Sequence, residues 1–114
     1  MAAVTREDKP GRTYLATWTL TTADPTGDAL ELPGASDRSL QVLGTFGGAT
    51  IAVEGSNDGG TTWAALHDPG GNAVTFTAAG INAISENVLK IRTRLSTVGV
   101  GATINAYLLS RSTK

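Results

Sequence analysis

The chain has 114 residues, with 9 basic and 10 acidic side chains, one histidine, no cysteine and a formal net charge of −1. This length fits one domain that can bury a core without disulfides or a metal. The absence of cysteine excludes thiol chemistry and cysteine-ligated metals, and the balanced charge argues against a nucleic-acid partner. No apolar run is long enough to span a membrane. We therefore expect no cofactor, no nucleic acid and no membrane contact.

The first twelve residues are charged and close on a Pro-Gly pair. A terminus of this composition is mobile unless something holds it down, and it has no apolar stretch typical of a secretory signal. The sequence therefore predicts an N-terminal arm over residues 1–12 and a β-domain over residues 13–114. The charged side chains of the arm are candidates for contact with a partner: Arg6, Glu7, Asp8 and Lys9.

The rest of the chain reads as short strands separated by turns. Residues 14–21 and 89–95 alternate between two kinds of side chain, which is typical of a strand with one buried face. Clusters of Gly, Pro, Asp and Asn interrupt such runs at intervals of roughly ten residues. The predicted strands cover residues 14–21, 29–32, 38–46, 49–55, 63–66, 73–77, 89–95 and 103–109.

About eight strands at this spacing predict an all-β fold, a single compact antiparallel β-sandwich that is jelly-roll-like. Alternation does not encode strand order, so another sandwich topology stays open. Residues 79–87 leave a short bend or one helical turn as alternatives. No repeat of 20–50 residues is present, which argues against a propeller.

The most informative stretch is SNDGGTTW, residues 56–63. Asp-Gly-Gly between two strand-like runs predicts a hairpin, because glycine reaches positive φ without a Cβ clash. The stretch also fits the Asp-box pattern S-x-D-x-G-x-T-W. In that motif the Ser and Asp side chains bond the turn backbone and the Trp packs on the hairpin, so it is a folding device. The motif residues are Ser56, Asp58, Gly60, Thr62 and Trp63.

Two loop groups contain residue types that occur in chemical sites. Asp58 with Asn57 lacks the spacing of a calcium loop, so turn capping is the preferred role. His67 and Asp68 are adjacent and would point to opposite faces of a strand, and no nucleophile motif accompanies them.

Glu54 could form a carboxylate pair with Glu86 or with Asp58. A glycosidase needs two carboxylates facing one cleft. Glu54 follows the apolar Val53 in alternation, so we expect it on a solvated strand face. The sequence predicts no catalytic residues and no enzyme.

Lys90, Arg92 and Arg94 form a basic stripe on one face of a strand. Two interpretations stay open. The stripe is either a solvated face that discourages edge pairing, or an interface with an acidic partner or subunit, where arginine is enriched.

The aromatic residues Tyr14, Trp18 and Trp63 could form a sugar-stacking platform. Trp18 alternates in phase with Tyr14 and Leu20, which favours a core position because an aromatic ring buries a large apolar area.

Three stretches together resemble small virion proteins of tailed bacteriophages. These are LGTFGGATIAVEGSNDGGTTW at residues 43–63, ALHDPGGNAVTFTAAG at residues 65–80, and ENVLKIRTR at residues 86–94. The similarity covers about residues 40–109, and its most specific feature is the order of the three stretches. The Asp-box is its least specific part.

The resemblance implies a phage structural protein, and within that group a head decoration (cement) protein. It further implies a homotrimer on the capsid exterior, bound where subunits of the major capsid protein meet, and made in the bacterial cytoplasm. The alternatives are a tail, baseplate or head-fibre component, or, from another class, a carbohydrate-binding module.

Overall fold

The computed structural model describes residues 1–31 and 35–112. Within these ranges the chain forms ten strands and no helix, so no helix there could cross a bilayer. The predicted all-β class is confirmed. The strands are β1 (Val4–Lys9), β2 (Thr13–Thr21), β3 (Leu30–Glu31), β4 (Ala35–Thr45), β5 (Thr50–Ser56), β6 (Ala64–Ala65), β7 (Thr75–Phe76), β8 (Gly80–Ile84), β9 (Lys90–Thr97) and β10 (Thr103–Ser112).

The strands form two sheets in which every strand pair is antiparallel. The first sheet has the order β1-β2-β10-β4-β8. The second has the order β3-β9-β5-β6, with β7 also paired to β5. The chain passes back and forth between the sheets from β2 to β5 and again from β7 to β10. This crossing pattern makes the sandwich jelly-roll-like, as predicted.

The core lies between the sheets and follows the alternation of the strands. Trp18 and Leu20 on β2 are fully buried, and the Trp18 indole N–H donates to the Asp28 carbonyl at 2.9 Å. Each large side chain buried in this way contributes about 1.5–3 kcal/mol. Other fully or almost fully buried side chains are Leu40 and Val42 on β4, Ile51 and Val53 on β5, Ile91 and Leu95 on β9, and Ile104 and Leu108 on β10.

The structure corrects the prediction of a mobile N-terminal arm. Residues Val4–Lys9 form strand β1, which pairs with β2 along its whole length. Ala2 is buried, its N–H donates to the Thr26 carbonyl at 2.8 Å, and its carbonyl accepts from the Asp28 N–H at 2.8 Å. The free edge of β2 supplies hydrogen-bond partners that composition alone does not reveal.

Residues 79–87 are the second difference from the predicted elements. Instead of a helical turn, Gly80–Ile84 forms strand β8, paired with β4. Together, β1 and β8 raise the predicted eight strands to ten. The predicted strand end at Leu32 and turn at Pro33 and Gly34 lie outside the described residues, as do residues 113–114.

Candidate functional site

The Asp-box hairpin joins β5 to β6 and is held by two side chains. The Ser56 hydroxyl accepts from the Gly60 N–H at 3.0 Å and lies 2.7 Å from Asp58 Oδ1. The same carboxylate oxygen accepts from the N–H groups of Thr61 at 3.1 Å and Thr62 at 2.9 Å. The carboxylate therefore caps N–H groups of the turn backbone, which is the arrangement that the motif implies.

The hydrogen bonds also set the acidity of Asp58. The Ser56 hydroxyl, followed by the Thr62 backbone N–H, stabilises the ionised form and lowers the Asp58 pKa from 3.8 to about 2. The carboxylate is exposed, and its Oδ1 is bonded within its own turn. Its role is therefore to shape the hairpin.

Trp63 closes the hairpin onto the outer face of the second sheet. Its indole N–H donates to the Gly60 carbonyl at 3.0 Å. The Arg92 guanidinium lies over its ring, 4.2 Å from the centroid, in a cation–π contact. Trp63 thereby links the Asp-box to the basic stripe.

The outer face of the second sheet carries a charge cluster made of Glu54, Arg92 and Arg94. Glu54 and Arg92 are directly opposed on β5 and β9. Arg92 Nη2 lies 3.0 Å from Glu54 Oε1, and Arg94 donates to both oxygens of Glu54 through Nε and Nη2, each at 3.1 Å. This bidentate contact is the strong geometry for an arginine–carboxylate pair.

The cluster corrects the expectation that Glu54 lies on a solvated face. The residue is 9% exposed, because the two arginines cover it. Burial acts to raise the pKa of Glu54, but hydrogen bonds from Arg94 and Arg92 outweigh it and hold the pKa below its ordinary value. One of the two interpretations of the stripe placed acidic groups on a partner; the carboxylate that Arg92 and Arg94 contact here belongs to the same chain.

Lys90 is the third residue of the stripe and lies apart from this cluster. It faces Ser56 across the strand pair and is half-buried. It lines a cleft of about 240 Å³ together with Trp63, Arg92, Gly60 and Gly27. Two residues of the stripe therefore pair with Glu54, and Lys90 borders a small cleft.

His67 contacts Glu86 and not its neighbour Asp68. The ring Nδ1 lies 2.7 Å from Glu86 Oε2, and the His67 backbone N–H donates to Glu86 Oε1 at 2.7 Å. Burial acts to raise the pKa of Glu86, but the hydrogen bonds from His67 prevail and lower it. The pairing was not predicted, because the two residues are far apart in sequence and only the fold joins them.

The pair helps to fix the segment between β8 and β9. The Ser85 N–H donates to the His67 carbonyl at 2.8 Å, and the Leu89 N–H donates to Asn57 Oδ1 at 2.8 Å. The buried Arg38 donates to the Val88 carbonyl at 3.5 Å. Desolvation lowers the pKa of Arg38 below its ordinary value. These contacts hold the segment in place.

A shallow depression of about 470 Å³ lies between this segment and the Asp-box. Its walls are mainly apolar and include Gly55, Ala64, Leu66 and Val88, with Glu86 at the rim. In residues 1–31 and 35–112, no group of three or more His, Asp or Glu side chains is placed to hold a metal ion.

The charged residues of β1 lie at the exposed edge of the first sheet. Arg6 Nε lies 3.2 Å from Asp8 Oδ1, and Arg6 also lies over the Tyr14 ring at 4.7 Å. Lys9 forms an ion pair with Glu7. Exposed ion pairs of this kind contribute about 0–1 kcal/mol to stability. The charged groups of these residues are exposed and stay accessible.

The aromatic residues do not share a platform. Trp18 is enclosed between the sheets, Tyr14 lies beneath Arg6 at the β1 edge, and Trp63 lies on the outer face of the other sheet. Trp18 is a core residue, as its phase in β2 predicted.

No protein-family model and no curated protein matches the chain. Among solved structures, it is similar to the K1 cleaved adhesin domain of Lys-gingipain from Porphyromonas gingivalis W83, at 10% identity and a TM-score of 0.46, covering 99% of this chain and 85% of that one. It is also similar to Drosophila melanogaster CENP-C bound to CAL1, at 11% identity and a TM-score of 0.38, covering 96% and 81%. The CENP-C cumin domain gives 12% identity and a TM-score of 0.37, covering 96% and 72%.

Proposed function

We propose that this chain is a structural protein of a tailed bacteriophage virion, a decoration protein that binds the lattice of the major capsid protein and stabilises the head. The observation that carries the proposal is the ordered succession of the stretches at residues 43–63, 65–80 and 86–94. These stretches include β5, the Asp-box hairpin, β7 and most of β9. They belong to the scaffold of the sandwich, which fits a protein whose role is to bind neighbours. The proposal assigns the chain no catalytic step.

The stabilising effect follows from linkage. A protein that binds the assembled lattice and not the separated subunits shifts the equilibrium toward the lattice. A homotrimer would add avidity, because three weak contacts on one rigid body bind far more tightly than one. The proposed site of action is the capsid exterior.

The geometry favours β1 over the basic stripe as the capsid contact. Arg92 and Arg94 are paired with a largely buried Glu54, whereas Arg6 and Lys9 form only exposed ion pairs on an edge strand. An edge strand also offers unpaired backbone groups to a neighbouring chain.

Location in the particle is tested by counting copies. Quantitative mass spectrometry of purified virions containing this chain should give hundreds of copies per particle, and electron microscopy should place its density on the head. A handful of copies would assign the chain to the tail, baseplate or head fibres and overturn the decoration role.

The capsid contact is tested by reversing charge on β1. The double variant Arg6→Glu, Lys9→Glu should lower occupancy on undecorated capsids by about tenfold or more, because rim charges guide and strengthen association. The control is Glu31→Lys, which changes an exposed charge on the second sheet. Equal loss of occupancy in both variants, or loss in neither, would reject β1 as the contact.

A further inference from the structure

The central part of the outer face of the first sheet forms a continuous surface without a charged side chain, and charged residues lie at its margin: Glu7 and Lys9 on β1 and Arg111 on β10. Successive outward residues fall into rows across the strands, such as Thr17–Tyr107–Gln41–Ile81. We call the central part of this face the outer patch. It consists of Leu15, Thr17 and Thr19 on β2, Asn105, Tyr107 and Leu109 on β10, Ser39, Gln41 and Leu43 on β4, and Ile81 and Ala83 on β8.

The patch exposes large apolar side chains. Ile81 is 66% exposed, Leu109 41% and Leu43 38%. Tyr107 lies among them, Leu15 lies beside Leu109, and both are half-buried. An apolar cluster rimmed by small polar residues marks an association surface on a soluble protein.

The two outer faces of the sandwich differ sharply in charge. The second sheet carries the Glu54, Arg92 and Arg94 cluster, in which two guanidinium groups share one carboxylate. The outer patch has no charge of either sign, in a chain with 9 basic and 10 acidic residues. Depletion of charge together with an aromatic residue is typical of the central region of an interface between subunits.

The size of the patch fits such a contact. The eleven outward positions of the patch, each about 4.8 Å by 6.8 Å, cover roughly 360 Å². A standard interface buries about 800 Å² per partner including its polar rim. The neighbouring Thr21, Thr103 and Thr45, which form the next row, would supply part of that rim without adding charge.

The absence of charge also indicates which kind of partner binds the outer patch. A strongly charged partner finds no counter-charge on the patch, whereas a second copy presents a surface that is equally uncharged, so no like charges are brought together. Two patches can meet face to face, and three can turn toward a common axis.

We propose that the outer patch is the surface through which copies of this chain associate, each copy burying its patch against that of another. The inference rests on the self-association within the proposed function and names the surface that performs it. It leaves β1 at the margin of the assembly, where its charged residues stay available to a different partner.

The test is the oligomeric state of the purified chain. Sedimentation velocity from about 1 to 100 µM should show an assembly heavier than the 11.7 kDa monomer. The double variant Ile81→Lys, Leu109→Lys should weaken association by about 100-fold or more, because each copy would bury two unpaired charges. The milder pair Ile81→Thr, Leu109→Thr should weaken association less and keeps the strands β-compatible.

The control is Val100→Lys. Val100 is 84% exposed between β9 and β10, outside the patch, so its replacement should leave the assembly unchanged. Circular dichroism melting establishes that each variant is folded. A wild type that stays monomeric throughout, or an assembly that folded patch variants leave intact, would overturn the proposal.

These outcomes are separate from those that test the virion role. A chain that associates through the patch but is absent from the head would keep this inference and lose the decoration function. A monomeric chain present in hundreds of copies on the head would do the reverse.

Discussion

At the residue scale, the side chains that matter most are those whose charge is satisfied within the chain. Asp58 is held by its own turn, and Glu54 is held by two arginines on the neighbouring strand. The first is a local arrangement that a motif encodes. The second arrangement needs β5 and β9 to be paired in one register. The environment of a charged residue on a strand face therefore depends on the residues of the neighbouring strand.

Replacing Glu54 by Gln should destabilise the fold by about 1–3 kcal/mol, because two arginines lose their charged acceptor in a largely buried setting. Chemical denaturation at pH 7 measures this change. The matched control, Glu31→Gln on an exposed position of β3, should stay within about 0.5 kcal/mol of the wild type. A Glu54→Gln variant as stable as this control would show that the cluster contributes nothing.

The depressed pKa of Asp58 predicts a specific pH dependence. Since its pKa is about 2 in the folded chain and 3.8 ordinarily, its contribution to stability is complete above pH 3.8 and is lost as the pH falls through 2. Asp58→Asn should lower the urea midpoint at pH 7. The gap to the wild type should narrow between pH 3.8 and 2, measured as denaturation midpoints along a pH series. A gap that is constant with pH would contradict the assigned hydrogen bonds.

At the scale of the element, β1 is an edge strand that its charged sequence does not reveal. Its side chains alternate between the two faces, but most are exposed, so no apolar period marks it. Ala2 and Val4 provide the attachment, one buried and one packed on the core. Pairing with β2 supplies the rest through backbone hydrogen bonds, which any side chain permits.

Deleting residues 1–9 should therefore destabilise the domain by roughly 2 kcal/mol or more, from the lost burial of Ala2 and Val4. It should also promote aggregation, because the edge of β2 is uncovered. Thermal melting with light scattering checks both effects. Double replacement of Arg6 and Lys9 by Gln serves as control and should leave the melting temperature nearly unchanged. A truncated chain that melts like the wild type would restore the view of a dispensable arm.

At the scale of the whole molecule, the described chain is one two-layer sandwich with one core cluster. Trp18 lies between the sheets, and Trp63 lies outside the second sheet on the Asp-box hairpin. The two tryptophans therefore report on different layers of the same unit.

Because both sheets share the core, we expect a single cooperative unfolding transition. In urea, the fluorescence of a Trp63→Phe variant, which reports on Trp18 alone, should change at the same midpoint as its far-UV dichroism. The variant Trp18→Phe should be less stable, yet its remaining Trp63 signal should again coincide with its own dichroism. Separate midpoints within one variant would show that the hairpin or one sheet unfolds independently.

Local patterns in the sequence determined much of this protein. The alternation in residues 14–21 and 89–95 gave β2 and β9, because one face of each strand must be buried. The Asp-box gave the hairpin down to its polar groups, because all the groups involved lie within eight residues.

Only the tertiary structure decided the rest, because those features join residues that are distant in sequence. Strand pairing turned Glu54 from an expected solvent-facing carboxylate into the partner of Arg92 and Arg94, and brought His67 to Glu86. It also placed residues from β2, β10, β4 and β8 side by side in the outer patch. Each strand contributes only two or three residues to the patch, and register across the sheet is what makes them one surface.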